Sequence, residues 1–246
     1  MIAFGEDAAA KLSDLENRDA RLAELEKEME AAAGKYVTAA RKLTADREKA
    51  ASRLSKTAEK QINELAMQAR FEVEVTPREA EEAWTAFGWD RIECGIATNP
   101  GEPMKPLTEI ASGGEMSRVM LALKVSVEEG ASAAANKKRR TALPRTLVFD
   151  EIDIGIGGRA AEAVGQKLKA LSRGQQVLCV THLPQIAAFA DQHFLIDKRE
   201  ADGRTKMQVR LLDDRARTHE VARMLSGAKV TDTSLQHAGQ MIAGSR

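Results

Sequence analysis

Apolar residues recur every seven positions near the start of the chain, at Leu15, Leu22, Met29, Tyr36, Leu43 and Ala50, and Leu25, Ala32 and Ala39 fall three places after members of that set. This spacing predicts a heptad seam along one face of a long helix. Between residues 6 and 70 there is no proline and only one glycine, Gly34, so nothing interrupts the pattern. Beyond Leu43 the apolar set moves to Leu54, Ala58, Ile62 and Leu65, the displacement a four-residue stutter produces. A helix of this span would extend roughly 95–100 Å. The domain that follows is too small to bury such a seam, so a partner helix is expected. It is either an antiparallel arm of the same polypeptide or an identical helix in a parallel homodimer.

After residue 70 the period changes, and the chain is read as two regions: a coiled-coil helix over 1–70 and an α/β lobe over 71–246. Phe71–Val75 and Arg91–Thr98 alternate as strands, with Trp84, Phe87 and Trp89 between them as expected core or packing aromatics. A capped helix follows Ser112, its apolar positions at Met116, Val119, Met120, Leu123 and Val127. The β-rich runs Thr146–Phe149 and Gln176–Val180 are expected to be neighbouring strands of a buried parallel sheet, joined by a helix over Arg159–Leu171. Pro184–Ala190 and Thr218–Leu225 read as helices. His193–Lys198 and Met207–Leu212 read as a hairpin turning at Asp202-Gly203.

Three short sequences carry chemistry. The first is Ser112-Gly113-Gly114-Glu115, where a Ser N-cap and paired glycines expose backbone N–H groups at the positive end of a helix. A phosphate would be stabilised there, although an ordinary capped helix has the same pattern. The second is Asp150-Glu151, at the end of a strand. Adjacent strand residues point to opposite faces, so one carboxylate can hold Mg²⁺ through its water shell while the other reaches an attacking water. Two solvated acids are the plainer alternative. The third is Thr181-His182, just past the next strand, where open parallel sheets place their ligands.

In this order, extended to Ile110–Lys124, Phe149–Gly158 and Thr181–Ala187, these blocks resemble the head of ABC-type ATPases, and most closely the SMC-like branch that acts in bacterial DNA repair. The resemblance covers roughly residues 70 to 230 by motif and the N-terminal helix by architecture only. It implies the C-terminal lobe of an ABC/SMC-type head, with ATP and Mg²⁺ as cofactors. Ser112, Gly113, Gly114 and Glu115 would form the signature loop, Asp150 would support Mg²⁺, Glu151 would be the general base and His182 the γ-phosphate sensor. The loop after Glu151 departs from the pattern, since Gly157 stands where such heads usually carry an aspartate.

Composition narrows the picture further. Lys+Arg and Asp+Glu both total 37 in 246 residues, so bulk charge favours no partner class and any DNA contact must come from a local patch. The basic run Lys137-Lys138-Arg139-Arg140 is one candidate, and a solvated loop is the other reading. Cys94 and Cys179 lie in apolar runs without metal spacing, suggesting reduced, buried thiols and a cytoplasmic, non-membrane setting. His193, His219 and His237 fall in no constellation and are read as structural. No Gly-x-x-x-x-Gly-Lys-[Ser/Thr] is present. The expected remedy is a preceding segment of a longer protein, carrying a P-loop lobe and the first coiled-coil helix. A second head, joined through ATP, and DNA complete the expected partners. A transporter-type nucleotide-binding subunit and a nucleotide-independent coiled-coil adaptor are the competing classes; neither accounts for the long helix together with Asp150, Glu151 and His182.

Overall fold

A computed structural model describes residues 2–110, 112–134, 145–201 and 204–245. Helix α1 runs unbroken over Ile2–Asn63, as the heptads predict. By contact, the chain divides into two compact units, 1–51 with 74–93, and 52–73 with 94–246. Strands β1 (Arg70–Pro77) and β2 (Asp90–Ala97) pass through both and join β3 (Lys105–Pro106) in a three-stranded sheet, order β1-β2-β3.

In the first unit, the early seam is left open among the described residues: Leu15, Leu22, Leu25 and Met29 are about half exposed or more. Farther along α1 the heptad position Tyr36 is committed to local packing. Its ring stacks on Trp84 with centroids 4.4 Å apart and meets Trp89 edge-on at 6.0 Å, an arrangement worth about 0.5–1.5 kcal/mol per pair beyond area burial. Trp89 Nε1–H donates to Thr44 Oγ1 at 3.0 Å, and the Thr44 hydroxyl donates to Asp90 Oδ1 at 2.6 Å. Arg47 donates to the other oxygen of that buried carboxylate at 2.8 Å, and to the Phe87 carbonyl at 2.7 Å. Gly88 sits at φ +90°, and a Cβ there would press on Leu43 at 3.0 Å. Forming this turn sends Phe87 outward, 81% exposed, which corrects its expected place in the core.

The second unit holds the core. The last turns of α1 contribute Ala58 and Ile62, both fully buried, followed by Leu65 in the turn that ends the helix. Polar side chains of those turns satisfy the start of β1. Glu59 accepts from Phe71 N–H at 3.0 Å, Ser55 from Val73 N–H at 2.9 Å, and Asn63 from Ala69 N–H at 2.8 Å. Strand β4 (Thr146–Phe149) pairs in parallel with β5 (Gln176–Cys179), and helix α3 (Gly158–Ser172) connects them. In that register Phe149 lies opposite Cys179, so the two strand ends finish side by side. Contrary to the expectation of a buried sheet, one face is open, with Val148, Leu178 and Val180 all about half exposed or more. Among the described residues this sheet has two strands, and the helices that pack here cover the other face.

Helix α2 (Gly113–Ala134) keeps part of its expected face, with Val119 fully buried and Leu123 packed against the core, whereas Met120 and Val127 are exposed. Gly114, Arg118, Leu121, Ala122 and Val125 also point inward. The short helix α4 (Pro184–Ala187) leads to the hairpin β6 (Phe194–Ala201) and β7 (Arg204–Leu211) and then to α5 (Asp214–Ser226). The expected turn residues Asp202-Gly203 and the basic run 137–140 lie outside the described residues. A further helix, α6 (Asp232–Gly244), was not anticipated. Thr231 and Ser234 cap it reciprocally, and Ala238 and Ile242 pack on Val221 and Ala222 of α5. Among the described residues, no helix is long and apolar enough to cross a membrane.

Candidate functional site

The three sequence motifs converge in the second unit. At the first, Ser112 Oγ accepts the Glu115 N–H at 3.4 Å and the Ser112 carbonyl accepts from Met116 N–H at 3.0 Å, which starts α2. Proximity constrains the second glycine most. A Cβ on Gly114 would stand 3.0 Å from the Glu151 carbonyl and 3.1 Å from Ile154 Cβ, whereas one on Gly113 would meet the tip of the Glu151 side chain. The signature-like turn therefore lies directly against the acidic strand end of the same chain. Two neighbours of the turn reinforce this contact. Ser117 Oγ donates to the Asp150 carbonyl at 2.9 Å, and Arg118 donates to the Ile154 carbonyl at 2.8 Å. Burial lowers the pKa of Arg118, opposed in part by Glu115.

The strand end itself is bent sharply. Glu151 adopts φ +57°, a left-handed conformation that costs a non-glycine residue about 1–2 kcal/mol. The bend lets the Glu151 carbonyl accept from Ile154 N–H at 3.2 Å and drives Ile152 fully into the core. Asp150 Oδ1 accepts the Glu151 N–H at 2.9 Å, which fixes its orientation, while the Glu151 carboxylate rests at the start of α2. An anion therefore already occupies the positive end of that helix dipole.

His182 stands just beyond β5, with its side chain 74% exposed. What holds it is Asp153, a residue given no role by sequence. Asp153 is buried, and its Oδ2 accepts from Thr181 Oγ1 at 2.7 Å and from His182 N–H at 2.8 Å, with His182 Nδ1 at 2.9 Å. Thr181 Oγ1 in turn accepts the Leu183 N–H at 3.0 Å. Three acids within four positions, two of them beside a strand end and the third in an Ile-Gly loop, were the available signal. Ser117 and Arg118 were also missed, since nothing in their spacing distinguishes them from ordinary helix residues.

Among the described residues, no group of three His, Cys, Asp or Glu converges as a metal cage. Asp150, exposed and already oriented, suits a cation held largely through water and phosphate oxygens. Both cysteines are free and half-buried rather than fully buried. Burial, then Asp153 and Asp150, pushes the Cys179 thiol up from its ordinary 9.0 to about 12. The folded state thus prefers the protonated thiol. That contribution to stability is complete below pH 9.0 and is lost as pH rises through about 12. In a Cys94→Ser background, Cys179 should react with Ellman's reagent at mildly alkaline pH at least about tenfold more slowly than a free thiol, because so little thiolate is present and its greater nucleophilicity offsets only part of that. Urea should restore the ordinary rate; a fast reaction in the folded chain would refute the shift.

No protein-family model matches the chain. It is 42% identical over 235 residues to the DNA repair protein RecN of Xylella fastidiosa (strain Temecula1), covering 95% of this chain and 40% of that protein. Against RecN of Bacillus subtilis (strain 168) the identity is 36% over 245 residues, covering 94% and 41%. Against RecN of Halalkalibacterium halodurans it is 35% over 246 residues, covering 98% and 41%. The chain thus spans about two-fifths of the length of the curated relatives it matches. Among solved structures, it is similar to an Smc head domain with a coiled coil and joint from Pyrococcus yayanosii. The TM-score is 0.46 at 19% identity, covering 71% of this chain and 29% of that one. At that score the likeness carries no inference about the site.

Proposed function

Because the chain belongs, over the span it matches, to the RecN family of DNA repair proteins, we propose that it supplies the C-terminal half of an SMC-like ATPase head acting in DNA repair. The observation that supports this reading is the meeting, within one compact unit, of the Ser112–Gly114 turn, the Asp150–Glu151 strand end and the His182 loop. In the proposed site, Asp150 orients the water shell of Mg²⁺ and Glu151 takes a proton from an attacking water. Ser112, Gly113, Gly114 and Glu115 would present donors and a cap to a phosphate of the nucleotide held by a second head, while His182 would contact the γ-phosphate held by its own head. ATP would bring the scissile phosphoanhydride and the charge these donors neutralise. The Glu151 carboxylate must leave the start of α2 before a phosphate can settle there, so binding and arming of the base are one movement.

The remaining three-fifths of the relatives' length is where we place the P-loop lobe and the first arm of the coil. The exposed seam of α1, at Leu15, Leu22, Leu25 and Met29, is then the surface the first arm covers. The cradle for the β- and γ-phosphates belongs to that lobe, and the signature turn acts on nucleotide held by a second head. Two heads joined this way can clamp DNA and release it when the γ-phosphate is lost.

Substituting Ser112→Arg tests this reading. In the full-length protein it should leave ATP binding by each monomer unchanged, while ATP-dependent dimerisation, followed by light scattering, becomes at least about tenfold weaker through the misplaced bulk and charge. An ATP-induced dimer of unchanged strength would show that the turn does not act across an interface.

A further inference from the structure

We infer that Asp153 is a positioning residue for His182: it binds the Nδ1 edge of the ring and so presents Nε2 to solvent, where a ligand would arrive. Three observations carry this. The Asp153 side chain is only 5% exposed, and a buried carboxylate needs several donors to be tolerated. Its Oδ2 gathers them from a single two-residue stretch: the Thr181 hydroxyl, the His182 main-chain N–H and His182 Nδ1, at 2.7, 2.8 and 2.9 Å. Backbone and ring of the same histidine are therefore held by one atom, which fixes the loop and the ring together. The ring is otherwise 74% exposed, so among the described residues Asp153 is the contact that sets its direction.

The consequence is chemical. The bond made by one imidazole nitrogen decides the state of the other. With Nδ1–H donated to Asp153, the neutral ring offers Nε2 as an acceptor. Without Asp153, the ring would be free to rotate and to exchange tautomers. Asp153 also lies on the turn begun by Glu151, whose carbonyl accepts from Ile154. One loop therefore positions both the proposed base and the proposed sensor. The effect on turnover rests on the role proposed for His182 above, whereas the orientation of the ring does not.

The two halves are tested separately. With only four histidines in the chain, long-range ¹H–¹⁵N spectra of histidine-labelled protein, at alkaline pH where imidazoles are neutral, will report each ring's tautomer; the His182→Gln variant assigns the signal. Wild type should show the Nδ1–H form at His182, and Asp153→Asn should return it to the Nε2–H-rich mixture of free imidazole. Thr181→Val disturbs the same buried loop without touching the Nδ1 contact and should keep the wild-type tautomer. Equal effects of the two variants, or an Nε2–H ring in wild type, would overturn the inference. In the full-length protein, Asp153→Asn should lower kcat about tenfold with KM little changed, and His182→Gln with Asp153→Asn should be no slower than His182→Gln alone. Additive losses would mean that Asp153 acts elsewhere and would defeat its positioning role. Unchanged turnover in His182→Gln, with the tautomer as expected, would defeat the sensor role instead and leave the positioning intact.

Discussion

Replacing Glu151 with Gln in the full-length protein is expected to preserve ATP binding and to slow hydrolysis by ~10²–10⁴-fold, the range for loss of a positioned general base. The side chains match in size, so the amide can keep the place now taken by the carboxylate beside Gly113. What it cannot do is accept a proton from water. The backbone should also be preserved. Glu151 holds φ +57° because the turn through Ile154 and the burial of Ile152 compel it, and an amide meets the same constraints. Removing the negative charge should, if anything, ease entry of a phosphate at the start of α2. Phosphate release measured alongside nucleotide binding separates the two effects. Turnover within about threefold of wild type would remove Glu151 from the role, since a base is worth far more. The 246-residue chain by itself, which contains no P-loop sequence, should show no turnover in the same assay.

The parts of the site that could be read from sequence are those encoded by contiguous residues. Gly113-Gly114, Asp150-Glu151 and Thr181-His182 each announce a local backbone event, a helix start or a strand end, and parallel pairing then aligns the last two. Asp153 was different. Its partners are 28 and 29 positions away, so only the folded turn reveals why an acid is buried there. The face of α2 was legible only in part, for a related reason. Hydrophobic spacing placed Val119 and Leu123 correctly but also favoured Met120 and Val127, yet the inward positions include Gly114, chosen for close approach to Glu151 and Ile154, and Arg118, chosen for the Ile154 carbonyl. Neither residue counts as apolar in a periodicity argument. Helix α6 escaped because its reciprocal cap uses Ser234, where the usual pattern has Glu or Gln, and because Gly239 and Gly244 lower its helix propensity. Phe87 was misjudged because Tyr36, read as a seam residue, stacks on Trp84 while the turn at Gly88 faces Phe87 outward.

Two leucines near opposite ends of the long helical run should behave in opposite ways. Leu65, in the turn that ends α1, is fully buried among Ala58, Ile62, Phe71 and the inner faces of α2 and α3. Leu65→Ala removes three carbons from that core and leaves a cavity the neighbouring helices can only partly close. The expected loss is about 2–5 kcal/mol, read as a lower urea midpoint with an unchanged slope in far-ultraviolet circular dichroism. Leu22 is 53% exposed on the heptad seam. In the 246-residue chain, Leu22→Ala should shift stability by no more than about 0.5 kcal/mol, because a side chain this exposed has little packing to lose. In the full-length protein, where the proposed first arm covers the seam, the same substitution should become costly, by about 1–3 kcal/mol for a buried heptad leucine. If Leu22→Ala were silent in both contexts, the seam would have no partner helix and the hairpin arm would be wrong. If Leu65→Ala were silent, the base of α1 would not belong to the core that positions Glu151 and Asp153.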